Sequence, residues 1–125
     1  MSKPFYVKVE TPKELQDAAY EALQIAARTG KVKRGTNEST KAIERSQAKL
    51  VIIAENVEPP EVVAHLPILC EERKIPYVFV PEKEKIGSAM GIDVPAAAAS
   101  ITEVGDAAGL VKEIVTRLEG SKKAA

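Results

Sequence analysis

Two short runs of almost wholly apolar residues limit the folds open to this chain. They are KLVIIA, at residues 49–54, and IPYVFV, at residues 75–80. Neither run shows the polar–apolar alternation of a strand with one face in water, and β-branched residues are frequent in both. Each therefore predicts a strand covered on both faces. Helical patterns lie before, between and after these runs, so the sequence predicts an α/β fold, a three-layer α/β/α sandwich.

Caps, breakers and periodicity predict the other elements. The expected helices are one opened by Thr11 and ended by Gly30, one over about 37–47, one over 56–74 with a kink or break near His65 caused by Pro67, one over 82–90, and one capped by Asp106 and ended by Gly120. Lys31–Arg34 is predicted to be a short extended piece, and AAAASITEV, at residues 96–104, a third strand.

Length and composition fit one domain in the cytoplasm. Of the 125 residues, 45% are hydrophobic and 29% are charged, as is ordinary for a globular protein. No apolar run approaches the ~18 residues of a membrane span, so we expect no membrane partner. The N-terminus MSKPFYVKVE lacks the apolar core of a signal peptide, and the single cysteine, Cys70, excludes an internal disulfide. We expect one domain over residues 1–120 and a frayed tail over 121–125.

Basic residues concentrate in one stretch, although the formal net charge is zero with 18 basic and 18 acidic residues. Residues 28–49 include seven basic and two acidic side chains, a local net charge of +5. The rest of the chain, with 11 basic and 16 acidic residues, carries −5. A basic segment on an acidic body predicts a polyanionic partner.

No catalytic pattern stands out. His65 and Cys70 lie five residues apart, on different faces of one helix, and a packed cysteine beside a half-buried histidine is the simpler interpretation. The chain has no HExxH, CxxC or GxSxG pattern, and RGTNESTK lacks the Gly-Lys-Ser/Thr ending of a phosphate loop. We therefore expect no enzyme, no cofactor and no metal site.

The segment KRGTNESTKAIERS, at residues 33–46, joins a glycine turn to a helix. Thr36 is a candidate N-cap, and Gly35 gives the backbone the freedom to approach a ligand closely. Four polar side chains then follow at helical spacing: Asn37, Glu38, Lys41 and Arg45. A solvated helix face is the ordinary explanation for such a stripe. The local positive charge and the glycine turn favour a binding site instead.

A carboxylate beside a lysine suits the edge of a nucleic-acid base. Glu38 can only accept hydrogen bonds, so it can take the N1–H and N2–H donors of guanine, while Lys41 can donate to guanine O6 or to phosphate. Base edges exposed in this way are typical of irregular RNA. Two alternatives stay open: a small enzyme that holds a nucleotide phosphate at the Thr36 helix N-terminus, and a protein–protein adaptor that uses the acidic faces.

Three segments, GTNESTKAIER, AENVEPPEVVAHLPILCEERKIPYVFV and GIDVPAAAAS, carry a resemblance to a known family. Over residues 11–118 the chain resembles the kink-turn RNA-binding family of archaeal large-subunit ribosomal proteins, the L-seven-Ae type. The resemblance implies a four-stranded mixed sheet that binds the kink-turn, a sharply bent RNA helix–bulge–helix with tandem sheared G·A pairs. It also implies service in the large ribosomal subunit, in box C/D and H/ACA guide RNPs and in RNase P.

The partners that the resemblance implies are kink-turn and kink-loop RNAs, namely ribosomal RNA, guide RNA and RNase P RNA, together with RNP assembly proteins. The protein is expected to be a monomer when free. The implied RNA-binding residues are Lys33, Arg34, Gly35, Thr36, Asn37, Glu38, Lys41, Arg45, Glu58, Val62, Lys83, Ile92, Asp93, Val94 and Pro95.

By resemblance, Arg45 lies near the RNA backbone, and the sheared pairs are met by Gly35, Asn37, Glu38 and Lys41. Glu58 and Val62 line a pocket for an extruded bulge nucleotide beside Lys83, and residues 92–95 form the loop that covers the bulge bases. Archaeal members commonly have Glu where this chain has Asp93, so the charge is kept with a shorter reach.

Taken without the resemblance, these residues have plainer explanations. Glu58 is then a charge that favours a helix N-terminus, and Lys83 an ordinary surface charge. The apolar residues of the loop, Ile92, Val94 and Pro95, are explained equally well as a base-stacking surface or as buried core.

Overall fold

Helices surround one four-stranded sheet. The computed structural model of the protein describes the backbone of residues 11–124 and the side chains of residues 11–118. The elements in order are α1 (Lys13–Thr29), β1 (Lys31–Arg34), α2 (Thr36–Glu44), β2 (Leu50–Ala54), α3 (Glu61–Arg73), β3 (Tyr77–Val80), α4 (Lys83–Ala89), β4 (Ala98–Glu103) and α5 (Ala108–Ala124), with a one-turn 3-10 helix at Gly105–Ala107 before α5. The predicted α/β class with a mixed four-stranded sheet is confirmed.

The strand order β1-β4-β2-β3 sets the ends of the sheet. Strand β4 runs antiparallel to both β1 and β2, while β2 and β3 are parallel. Strands β1, β2 and β3 therefore all point the same way, and they end where β4 begins. At this end Arg34 lies opposite Ala99, and Ile53 opposite Ala98. We call it the carboxyl end of the sheet, the kind of edge at which open α/β sheets commonly bind ligands.

The two apolar runs form the centre of the core, as the sequence predicted. All five residues of β2 and three of the four in β3 are buried. Helix α1 covers the sheet with Leu15, Leu23 and three alanines. The small alanine side chains let the helix approach the sheet closely, and each fully buried leucine stabilises the fold by roughly 1.5–3 kcal/mol. Cys70 is wholly buried and His65 half-buried, which confirms the structural interpretation of both.

The three predicted helix N-caps are wrong. Gly35, with φ 90°, occupies the N-cap position of α2, because its carbonyl already accepts the first helical hydrogen bond; Thr36 is therefore the first helical residue. Pro12, not Thr11, directly precedes α1. Asp106 lies inside the one-turn 3-10 helix and so is not the residue before α5.

Two helices continue past residues that were expected to interrupt them. Helix α3 runs unbroken through Pro67, whose ring belongs to its buried face, so packing of that face offsets the lost backbone hydrogen bond. Helix α5 continues past Gly120, and the predicted tail of residues 121–125 is helical as far as Ala124. One helical glycine costs only about 1 kcal/mol, too little to end a helix by itself. Predictions for residues 1–10 and for Ala125 lie outside the described residues.

Two negative results apply to the described part of the chain alone. No helix within residues 11–124 is both long enough and apolar enough to cross a membrane. No group of three or more His, Cys, Asp or Glu side chains, among those described, could hold a metal ion.

A buried serine in the central strand β4 is expected to weaken the fold. The hydroxyl of Ser100 is fully buried and has no hydrogen-bond partner among the described residues. Burying such a group without a partner costs roughly 1–3 kcal/mol. We expect Ser100→Ala to raise the free energy of unfolding by about 1 kcal/mol, measured by urea denaturation. A clear loss of stability would instead reveal a partner for the hydroxyl, such as a buried water.

Candidate nucleic-acid interface

The topology brings distant parts of the sequence together at the carboxyl end of the sheet. The turn from β1 into α2, the loop from β2 to α3, the turn from β3 to α4 and the loop from α4 to β4 all lie there. Backbone hydrogen bonds join them: the Ala54 N–H donates to the Ala97 carbonyl at 2.9 Å, and the Glu55 N–H to the Val80 carbonyl at 2.8 Å. All the predicted site residues except Arg45 lie in these connections, at the end of β1 or in the first two turns of the helices that follow.

Gly35 makes the sharp turn between β1 and α2. Its N–H donates to the carbonyl of Ala98 at 2.8 Å, which fixes the turn to the start of β4. Its φ of 90° is a left-handed conformation that favours glycine. A Cβ at this position would have no heavy atom within 4 Å. The turn is therefore anchored by the backbone and leaves open space beside the first turn of α2, where a ligand can approach closely.

Helix α2 turns all of its charged side chains outward. Its buried face carries Ser39, Ala42 and Ile43, which pack towards the sheet and the rest of the core. Glu44 is exposed at its last residue, and the exposed polar residues nearer its start are Asn37, Glu38 and Lys41. Between the last two, the Glu38 Oε1 to Lys41 Nζ distance is 3.6 Å, and the side chains are 52% and 56% exposed. An ion pair this exposed contributes about 1 kcal/mol or less to the stability of the fold. Both groups are therefore available to a binding partner.

The basic residues of segment 28–49 do not form one patch. Those near the carboxyl end are Lys33, Arg34 and Lys41. Lys31 and Lys49 lie at the other end of the sheet, where β1 and β2 start, and Lys31 pairs with Glu103 at 3.7 Å. Arg45 is the C-cap of α2, about 14 Å along a nine-residue helix from its start. Arg45 therefore lies away from the carboxyl end of the sheet, one helical turn beyond Lys41.

Asn56 ties the β2–α3 loop to α4. Its Oδ1 accepts the backbone N–H of Lys83 at 2.8 Å, and its Nδ2 donates to Glu84 Oε1 at 3.0 Å. This hydrogen bond from the Asn56 amide holds the pKa of the Glu84 carboxyl below its usual value. Glu58, on the same loop, is exposed, and Val62 in the first turn of α3 is 41% exposed. Asn56 thus fixes the loop that carries Glu58 against the half-buried Lys83.

Helix α4 holds the loop of residues 92–95 by backbone contacts on both sides. The Ile92 N–H donates to the Gly87 carbonyl, and the Ala96 N–H to the Lys83 carbonyl, each at 3.1 Å. A Cβ on Gly87 would overlap the carbonyl oxygen of Val94. The loop can therefore approach the helix this closely only because residue 87 is glycine.

The exposure of this loop separates the two explanations that its sequence left open. Val94 is 62% exposed, and Asp93 and Pro95 are exposed too, whereas Ile92 is half-buried. Burial begins at Ala96, directly before β4. A surface loop is correct for Val94 and Pro95, so the apolar side chains at the tip are available for stacking. What they stack on stays a prediction.

Sequence reasoning missed three contacts that shape this region. Asn56 could have been suspected, because it follows a strand at the carboxyl end. Gly87 had no such signal, since its partner is a backbone carbonyl in another element. Thr40 and His65, which lie 2.9 Å apart across α2 and α3, are 25 residues apart in the chain, and no local pattern joins them.

Comparison with known proteins agrees with this geometry. The sequence model of the ribosomal protein L7Ae/L30e/S12e/Gadd45 family matches residues 17–111. Among solved structures, the chain is similar to the 15.5kD RNA binding protein of Giardia lamblia, with a TM-score of 0.87 and 35% sequence identity over 94% of this chain and 98% of that chain. The matched region includes all four connections at the carboxyl end of the sheet. The chain therefore belongs to the ribosomal protein L7Ae/L30e/S12e/Gadd45 family.

Proposed function

We propose that the protein binds kink-turn RNA at the carboxyl end of its sheet and stabilises the bend, without catalysing a reaction. The observation that carries this proposal is the meeting, at one end of the fold, of the exposed polar side chains of α2 with the exposed apolar side chains Val62 and Val94. Family membership and the similarity to the Giardia RNA binding protein support it.

The first turns of α2 would read the sheared G·A pairs. Glu38 accepts N–H donors from a guanine edge, Lys41 donates to guanine O6 or to phosphate, and Asn37 can do both. The open space beside Gly35 lets the RNA come close to the backbone of Thr36. The exposed cations at the end of β1, Lys33 and Arg34, and Arg45 further along α2 would contact phosphates.

The other connections would hold the bulge. Glu58 and Val62 would line a pocket for an extruded nucleotide, with the Lys83 ammonium beside it. The tip of the 92–95 loop would cover the neighbouring bases, with Val94 and Pro95 stacking on them and Ile92 supporting the loop from below. Asp93 keeps a negative charge on this loop with the reach of a short side chain.

Such a module suits RNP assembly. By holding the bend, the protein selects one conformer of a flexible junction, because the paired edges exist only in the kinked form. We infer a ribosomal protein of the archaeal large subunit that also serves in box C/D and H/ACA guide RNPs and in RNase P. Its partners would be the corresponding kink-turn or kink-loop RNAs and RNP assembly proteins, and it would act in the cytoplasm as a monomer until it binds.

A gel-shift comparison tests the proposal. The protein is titrated against a kink-turn RNA and against the same RNA with its G·A pairs replaced by Watson–Crick pairs. We expect clear preference for the intact kink-turn, at physiological salt so that phosphate attraction alone does not dominate. Equal binding to the two RNAs would contradict recognition of the kink-turn.

The nucleotide-binding alternative has less support. A phosphate at the start of α2 would meet the exposed Glu38 carboxylate, which repels it. The two cavities described in the protein, of about 520 and 210 Å³, are lined by residues of α1, α4, α5 and the β3–α4 turn, and neither touches α2. The polar side chains of α2 instead stand on an open surface, which suits a macromolecule.

Lys41→Ala is expected to weaken kink-turn binding by roughly 1–3 kcal/mol, because a lysine at the base edge contributes about that much. Its partner in the free protein is the exposed Glu38, so the free energy of unfolding should change by less than about 1 kcal/mol. Lys49→Ala is the matched control, since it removes the same charge at the other end of the sheet. Equal losses in the two variants would mean that Lys41 acts only through net charge.

A further inference from the structure

One side-chain hydrogen bond joins the two helices that flank the candidate interface. Thr40 Oγ1, on α2, lies 2.9 Å from His65 Nε2, on α3. The same hydroxyl donates to the carbonyl of Thr36 at 2.7 Å. Both side chains are half-buried, so the contact is partly screened from water.

The two contacts together define the direction of the hydrogen bonds. A threonine hydroxyl has one hydrogen, and here it is directed to the Thr36 carbonyl. His65 must then carry a hydrogen on Nε2 and donate it to Thr40 Oγ1. The result is a continuous chain of hydrogen bonds, from the His65 ring through the Thr40 hydroxyl to the first residue of α2.

Apart from the backbone hydrogen bond that anchors Gly35 to Ala98, helix α2 has few other contacts that fix its first turn. It has only nine residues and no side-chain cap at its N-terminus, and isolated helices of that length are unstable in water. Its buried side chains determine how closely α2 packs against the core. Apolar packing is not directional, so it does not by itself fix the rotation of the helix. A hydrogen bond has a preferred direction, so the contact with His65 restricts the rotation of α2 about its axis. The next two residues after Thr36 are Asn37 and Glu38.

The same hydrogen bond also contacts α3, whose first turn carries the exposed Val62 of the candidate interface. His65 lies three residues after Val62, so the two share one side of α3. We propose that His65 and Thr40 are positioning residues for RNA recognition: their hydrogen bond keeps α2 and the first turn of α3 in the relative orientation that the kink-turn requires. This inference rests on the proposed function. Neither residue needs to touch the RNA.

Four single variants and one double variant test the pair. Thr40→Val and His65→Phe remove the hydrogen bond with little change in shape. Thr40→Ser keeps the hydroxyl, and His65→Gln keeps an N–H donor near the position of Nε2. Each is titrated against the intact and the G·A-disrupted kink-turn RNA, well below its melting temperature, which is measured separately by circular dichroism.

We expect Thr40→Val and His65→Phe each to weaken binding of the intact kink-turn by roughly three- to tenfold, the range for one hydrogen bond. Binding of the disrupted RNA should stay unchanged, so the preference between the RNAs falls. The double variant should bind no more weakly than the worse single variant, since both remove one bond. Thr40→Ser and His65→Gln should bind within about twofold of the parent protein.

Other results would overturn the inference. An unchanged preference between the two RNAs, with or without a lower melting temperature, would mean that the bond only stabilises the fold. Strictly additive losses would mean that the residues act separately. If His65→Phe does not fold, the comparison of Thr40→Val with Thr40→Ser is sufficient to test whether the hydrogen bond supports RNA recognition. If the parent protein itself binds both RNAs equally, the proposed function fails first, and the inference fails with it.

Discussion

Glu38→Ala is expected to reduce the affinity for a kink-turn RNA by roughly ten- to a hundredfold, although it makes the protein more positive. The physical reason is that a carboxylate supplies acceptors that guanine N–H donors need, and losing a base-edge contact costs about 1–3 kcal/mol. The fold should be little affected, because the exposed pair with Lys41 contributes about 1 kcal/mol or less. Titration of both the intact and the G·A-disrupted RNA measures the effect.

Glu44→Ala provides a matched control on the same helix. Glu44 is exposed at the last residue of α2 and carries the same charge, but it lies about 12 Å along the axis from Thr36. We expect this variant to bind both RNAs slightly more tightly, through the added positive charge alone. If Glu38→Ala did the same, Glu38 would be an ordinary surface charge.

Gly87→Ala is expected to damage both the fold and RNA binding. The added Cβ would overlap the Val94 carbonyl oxygen, so α4 and the 92–95 loop must move apart. Overpacking of this kind typically costs 1–3 kcal/mol in the free energy of unfolding. Movement of the loop tip should also weaken binding of an RNA with a full bulge, by roughly tenfold, while leaving an RNA with a shortened bulge less affected.

Gly30→Ala separates the local effect from general destabilisation. A Cβ on Gly30 would overlap the carbonyl oxygen of Glu103, at the opposite end of the sheet. We expect a similar fall in the melting temperature but an unchanged RNA affinity at temperatures where the variant is folded. If the two variants lost RNA affinity equally, the loop held by Gly87 would have no special part in binding.

The elements that can be predicted well from the sequence are those determined by the pattern of neighbouring residues. Strands β2 and β3 are predicted from the two apolar runs, because short runs of this kind, rich in β-branched residues, are typical of strands buried on both faces. The exposed stripe of α2 follows from helical spacing. The same spacing places Glu38 and Lys41 side by side, and the Glu38 Oε1 to Lys41 Nζ distance is 3.6 Å.

The features that sequence could not predict depend on contacts between distant segments. The basic stretch 28–49 is continuous in the chain, yet β1 pairs with β4 some 70 residues later, and this topology divides the cations between two ends of the sheet. The open space at Gly35 and the overlap at Gly87 are likewise set by backbone atoms of other elements. The predicted N-cap of α2 was wrong for a related reason: the turn at Gly35 determines where the helix begins.

The central position of β4 has a consequence for synthesis of the protein. Strand β4 is the last to be made, yet it lies between β1 and β2. The carbonyl of its first residue accepts the Gly35 N–H, and the carbonyl of Ala97, directly before it, accepts the Ala54 N–H. A nascent chain that has emerged through α3 carries most of the polar groups proposed for the RNA and both partners of the Thr40–His65 hydrogen bond. It still lacks the carbonyls that anchor the Gly35 turn and the end of β2. We therefore expect the RNA-binding surface to be completed late in synthesis, when β4 leaves the ribosome and joins β1 to β2.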